Sequence, residues 1–169
     1  MCGQLDVSRY EDRSVELIDF LSKHDTGCLA TSDGANPFAA VAFFVYEFGN
    51  LVFKSRTASG HSTHLRSNVN ASFAVYNHGS TYDAKYGAQL LGTASRIREP
   101  RLMQRAVELY GERFAGSAAK LPSIEELCSD GIASTFYHFA IARFKIIDED
   151  KTCNRTMLAY EDFHHPPSA

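Results

Sequence analysis

The chain has 169 residues, 44% of them apolar and 22% charged, which suits one soluble globular domain with a core of its own. A formal net charge of −3 argues against generalised attraction to nucleic acid or to an anionic membrane, so any anion site must be local. No apolar run approaches the roughly 18 residues of a membrane span, and MCGQLDVSRYEDR at the N-terminus lacks a signal-peptide core; the expected location is cytoplasmic.

In chain order, SVELIDFLSKH places Val15, Leu17, Ile18 and Leu21 near one helical face, with Ser8 or Asp12 as caps. TGCLATS reads as a strand, and the DGAN turn makes Thr26–Ser32 and Pro37–Glu47 a hairpin. PFAAVAFFVYE is apolar enough to be expected buried on both faces. After FGN, LVFKS returns as a third strand. NASFAVYNH follows as a fourth, with Ala71, Phe73 and Val75 alternating against Ser72, Ala74 and Tyr76. The polar GSTYDAKYG is a loop, and AQLLGTASRI is a fifth strand in which Gly92 marks a bend or bulge. EPRLMQRAVELYGERF is the clearest helix: Pro100 suits its first turn, and Met103, Val107, Tyr110 and Phe114 fall at helical spacing. A short helix opened by Pro122–Ser123 precedes the last long strand, TFYHFAIARFKIID, and the tail EDFHHPPSA carries no core signal and is expected to fray.

Six closely spaced strands joined by hairpin turns indicate a mainly β chain, an antiparallel sheet closing into a small barrel with peripheral helices. The expected organisation is a single barrel domain over residues 1–150 and a C-terminal extension over 151–169. Cys2, Cys28, Cys128 and Cys153 form no CxxC pair, so neither zinc nor a disulfide framework is expected. His61 and His64 stand three apart without a third ligand nearby, and no metal is assigned. There is no GxGxxG after a strand, no GxxxxGK[ST] and no GxSxG, which leaves nucleotide-fold and hydrolase readings unsupported and no catalytic residue singled out.

The stretch FKSRTASGHSTHLRSN, residues 53–68, concentrates what a phosphate needs: cations, hydroxyls and a helix N-terminus opening near Gly60, with Leu65 as its inward anchor. The bland alternative is a solvated strand-to-helix connection with ordinary capping hydroxyls. NLVFKSRTASGHSTHLRSNVNASFAVY resembles the phosphate-binding element of the FMN-binding split barrel, the pyridoxamine 5′-phosphate oxidase-like superfamily. Ser59 falls on the family's Ser, His61 on its usual Lys, Leu65 on its helix anchor and Asn68-Val69 on its Asn-Pro. The resemblance covers most of residues 13–147.

That resemblance implies a six-stranded antiparallel split barrel that binds FMN at the interface of a homodimer, and a flavin-dependent oxidoreductase acting on an unidentified small molecule. It implies a phosphate set of Arg56, Thr57, Ser59 and His61, and a ring set of Phe38, Ala39, Ala40, Val41, Ala42, Phe53, Lys54, Ser55 and Gln89. Tyr137 and Phe139 are expected at the subunit interface. His61 is a weaker, titratable cation than lysine. The Arg- and His-bearing C-terminal strand that holds substrate in the vitamin-forming oxidase is missing, so that activity is not expected. A haem- or flavin-storing module, a deazaflavin protein and a dimer without cofactor are the competing readings; His164-His165 would suit an exposed haem ligand.

Overall fold

The computed structural model describes residues 7–77, 86–115, 121–148 and 157–160, with side chains of the first helix described from Arg13 onward. Cys2, Cys153, His78, most of the 79–86 loop and the 161–169 tail with His164-His165 lie outside the described residues. The first helix opens at Val7, so Ser8 and Asp12 fall inside it and neither caps it, against expectation.

The elements follow in the order α1 (Val7–Lys23), β1 (Thr26–Ser32), β2 (Pro37–Glu47), β3 (Asn50–Arg56), α2 (Gly60–Ser67), β4 (Asn70–Tyr76), β5 (Tyr86–Arg96), α3 (Pro100–Arg113), α4 (Ile124–Cys128), β6 (Ser134–Asp148) and β7 (Leu158–Ala159). The strands pair antiparallel in the order β3-β2-β1-β4-β5-β6-β7, and β3 also pairs with β6. That pairing closes six strands into a barrel and leaves β7 as an added edge on β6. Closure removes the exposed edges that an open sheet of these strands would carry.

Alternation along the strands decides what fills the barrel. Phe44, Phe53, Phe73, Phe139 and Phe144 are fully or almost fully buried, with Leu29, Leu51 and Leu90 among them. Each such ring stabilises the fold by about 2–3 kcal/mol relative to exposure. From α1, Leu17, Phe20 and Leu21 join the same core, whereas Val15 is exposed. A second cluster, Val52, Ile97, Met103, Ala106, Tyr110, Leu127 and Phe136, fixes α3 and α4 against the outer wall. Glu99 caps α3 through the Arg101 and Leu102 amides, and Ser123 with Glu126 forms a reciprocal cap on α4. The register of β5 on β6 shifts between Leu91 and Gly92, where a Cβ on residue 92 would run into the Ala140 carbonyl oxygen.

Two expectations are corrected. Tyr137 and Phe139 are interior residues, 4% and 0% exposed, because alternation on β6 turns them into the barrel. β2 is not covered on both faces: Ala42 and Phe44 point inward, while Val41 and Phe43 stay 75% and 56% exposed on the outer wall of the single chain.

Candidate anion and ring site

Ser59 has extended backbone and caps α2, its hydroxyl accepting from the Ser62 amide. A serine in this position satisfies one of the N–H groups that every helix leaves without an internal partner. Leu65, 6% exposed, anchors the helix to the barrel. At the C-terminal end Asn68 donates to the Ser32 carbonyl and accepts from the Asn70 amide, tying the exit of α2 to the end of β1.

This anchoring brings four polar side chains together. Ser55 Oγ lies 2.6 Å from His61 Nε2 and 3.2 Å from Ser59 Oγ. Ser59 Oγ lies 3.1 Å from His61 Nε2 and 2.9 Å from Ser62 Oγ. The cluster sits at the open end of the strand: Ser55 shares the barrel-facing side of β3 with Phe53, whose ring stacks on Tyr137 at 5.4 Å. Phe38 covers the start of the helix, its ring centroid 6.2 Å from that of His61 and 6.0 Å from that of His64. Gly60 makes this approach possible, since a Cβ there would come 2.9 Å from the Phe38 ring. His64 meets Thr31 Oγ1 through Nδ1 and stands 3.9 Å from Asp33, whose carboxyl the Asn36 and Ala35 amides hold down at about 2.

The electrostatics differ from those of a lysine site. Burial pulls the His61 imidazole below its ordinary value, and the nearby His64 adds to this, which favours the uncharged ring. His61 Nδ1 is buried without a hydrogen-bond partner among the described residues, which leaves Nε2 as the nitrogen able to donate toward an anion. The donor chemistry nevertheless fits a phosphate: three hydroxyls, one imidazole N–H and the first turn of a helix converge on one place.

The other expected site residues are dispersed. Thr57 turns away, donating its hydroxyl to the Ile132 carbonyl. Lys54 and Arg56 alternate onto the face of β3 opposite Ser55, and Arg56 is exposed. Ala39 and Val41 face outward on β2, whereas Ala42 is buried and Ala40 half-buried. Across the wall, Val41 lies in register with Cys28, Cys28 with Ala74 and Ala74 with Gln89. Gln89 thus ends a row of small and apolar outward residues. Ser62 escaped the sequence reading; its signal is its place three residues after the capping serine, where a side chain turns back toward the cap. Among the described residues no three His, Cys, Asp or Glu side chains group as a metal site, and no helix is long and apolar enough to cross a membrane.

Several solved structures share this fold at low sequence identity. A conserved hypothetical protein of Mycobacterium tuberculosis matches with a TM-score of 0.66 at 22% identity, over 80% of this chain and 84% of its own. A haem-binding protein of Mycobacterium smegmatis matches with a TM-score of 0.66 at 17% identity; the match covers 86% of this chain and spans 56% of that one. An FAD-binding protein of Mesorhizobium loti matches with a TM-score of 0.60 at 16% identity, over 78% and 91% of the two chains. No curated protein sequence matches the chain. Residues 15–144, which run from α1 through most of β6 and contain the Ser55–Ser59–His61 cluster, match the sequence model of pyridoxamine 5′-phosphate oxidase, and the chain belongs to that family.

Proposed function

We propose that the chain is a flavin-binding oxidoreductase that holds FMN, with the flavin phosphate in the Ser55–Ser59–His61 cluster and the ring against the outer face of β2. The observation that carries this reading is the convergence of the three side chains on the first turn of α2, with distances of 2.6–3.2 Å among them. The bound flavin supplies hydride transfer to and from a small substrate, and the protein positions and tunes it. The hydroxyls of Ser55 and Ser59 and the Nε2–H of His61 donate to the phosphate. Ser62 backs them by donating its own hydroxyl to Ser55, and Gln89 stands at the far end of the outer row as a donor for ring heteroatoms.

The exposed stripe of Val41 and Phe43 supports a second part of the proposal. An apolar surface of this kind on a soluble chain is a docking surface, and a second copy of the barrel placed on it would shield the flavin ring from water. The family membership and the FAD-binding relative favour a flavin, and the arrangement requires neither nucleic acid nor membrane. The protein purified without added cofactor, and again after addition of FMN, is the test. Retained flavin absorption in the visible blue supports the proposal; a Soret band in its place, or a colourless protein that takes up no FMN, overturns it. Ser55→Ala combined with His61→Ala is expected to weaken FMN binding at least about ten-fold, as the loss of two hydrogen bonds to a charged group requires.

A further inference from the structure

On the side of α2 away from Phe38 lies a groove of about 510 Å3. Ser62, Leu65 and Arg66, spaced three and four apart on the helix, contribute one side of it; Ser95, Arg96 and Arg98, from the end of β5 and the residues beyond, contribute another. Tyr137, almost fully buried, belongs to its deep part, and Asp130, with its side chain 82% exposed, to its rim.

The charge balance of this groove is the reverse of the chain's. Three guanidiniums face one carboxylate, Asp130, which leaves two positive charges in excess on a protein of net charge −3. The three arginines are not equally committed. Arg96 is built in: it donates to the Leu127 and Ser129 carbonyls, pairs with Asp130 at 3.3 Å, and its Nε is buried without a partner among the described residues. Arg66 donates to the Thr57 carbonyl and Thr63 hydroxyl, and among the described residues Arg98 pairs only with Asp130, at 2.9 Å and with its own side chain 60% exposed. An exposed pair of that kind is worth about 0–1 kcal/mol and yields readily to a better anion. Each guanidinium carries five N–H donors, more than these contacts use.

We propose that this groove is a binding site for a small dianion, a phosphomonoester or a dicarboxylate, distinct from the hydroxyl cluster at the start of α2. Arg96 supplies fixed charge, Arg66 and Arg98 close on the anion, and the anion displaces Asp130. The volume lies within the range of small-molecule sites. Leu65 and Tyr137 offer an apolar contact for the body of the ligand. Ser62 is shared between the two sites, since its hydroxyl bonds within the cluster and it also lines the groove.

The probes are inorganic phosphate and succinate, titrated calorimetrically into the full chain at constant ionic strength set with chloride. Binding of either is expected, weakened about ten-fold by Arg98→Ala and by Arg66→Ala, the loss expected for one charged hydrogen-bonding partner. Which probe binds more tightly tells a phosphomonoester site from a dicarboxylate one. Arg98→Ala is expected to leave FMN binding unchanged, and His61→Ala to leave groove binding unchanged, which separates this site from the flavin reading. Binding of neither probe, or binding indifferent to both arginine substitutions, overturns the inference.

Discussion

Ser59 caps α2 and is also proposed to donate to the flavin phosphate, and one pair of substitutions separates the two roles. Ser59→Ala removes the acceptor of the Ser62 amide and the partner of the Ser62 hydroxyl, a side chain only 1% exposed. The amide contact is long, 3.4 Å, so the lost cap counts near the low end of its usual range, about 0.5 kcal/mol. The lost hydroxyl contact adds about 1 kcal/mol. The expected destabilisation is therefore about 1.5 kcal/mol, or a fall of about 3–6 °C in Tm for a chain of this length. Ser59→Asp keeps a capping oxygen and places its charge at the favourable end of the helix, so stability should stay within about 0.5 kcal/mol of the parent. Yet the new carboxylate would stand at the place proposed for the flavin phosphate. Two like charges about 4 Å apart at an effective dielectric constant of about 20 repel by about 4 kcal/mol, enough to abolish FMN binding in any practical titration. Urea denaturation and FMN fluorescence titration on the three proteins give both quantities. A stable Ser59→Asp variant that binds FMN like the parent would refute the reasoning, as would a Ser59→Ala variant of unchanged stability.

The pH dependence of stability follows from two histidines. Burial lowers His61 and His138 below their ordinary 6.5, so their stabilising contribution is whole above about pH 6.5 and is lost as pH falls through their folded-state values. Urea midpoints should drop between about pH 7.5 and pH 5.5, and a profile unchanged by replacing both residues with glutamine would count against this cause. Gly92→Ala forces a methyl into the Ala140 carbonyl across the β5–β6 bulge, where backbone on both sides resists movement; a loss of about 3 kcal/mol is expected from the shift in denaturation midpoint. Gly60→Ala meets the Phe38 ring first, a side chain 41% exposed rather than fixed backbone, and should cost less than about 1 kcal/mol. Val41→Glu, on the outer face of β2, should leave the barrel folded and shift sedimentation from dimer to monomer; a wholly monomeric parent would contradict the proposed interface.

The barrel was legible in the sequence where local pattern and final environment coincide. Phe73 and Val75 alternate into the core as expected, Gly92 marks an irregularity in pairing, and Met103 and Tyr110 pack inward from α3. The misreadings have physical causes. An apolar strand such as β2 looks the same whether its outer face is covered by its own chain or by something else. Only the structure shows that Val41 is uncovered here. β7 is two residues long, too short for a period, and it is recognised only through its pairing with Arg143 and Phe144. At the candidate site, composition pointed to residues 53–68 as a whole, and alternation and turn geometry sort its members. Ser55, Ser59 and His61 meet, whereas Thr57 is spent on the Ile132 carbonyl and Lys54 and Arg56 alternate outward. The arginine groove was illegible because its walls come from α2, the end of β5 and residues 130–131, far apart in the chain.

His61, at a position where the resemblance implies lysine, gives the cluster its distinctive property. A neutral imidazole among hydroxyls binds a phosphate through directed hydrogen bonds with little net charge, so affinity should depend on geometry more than on salt. FMN and riboflavin differ only in the phosphate, which makes their comparison the most direct measurement of the central claim. The account predicts that FMN binds at least about ten-fold more tightly than riboflavin, a difference of ~1.4 kcal/mol carried by Ser55, Ser59 and His61. Equal affinities for the two would contradict it.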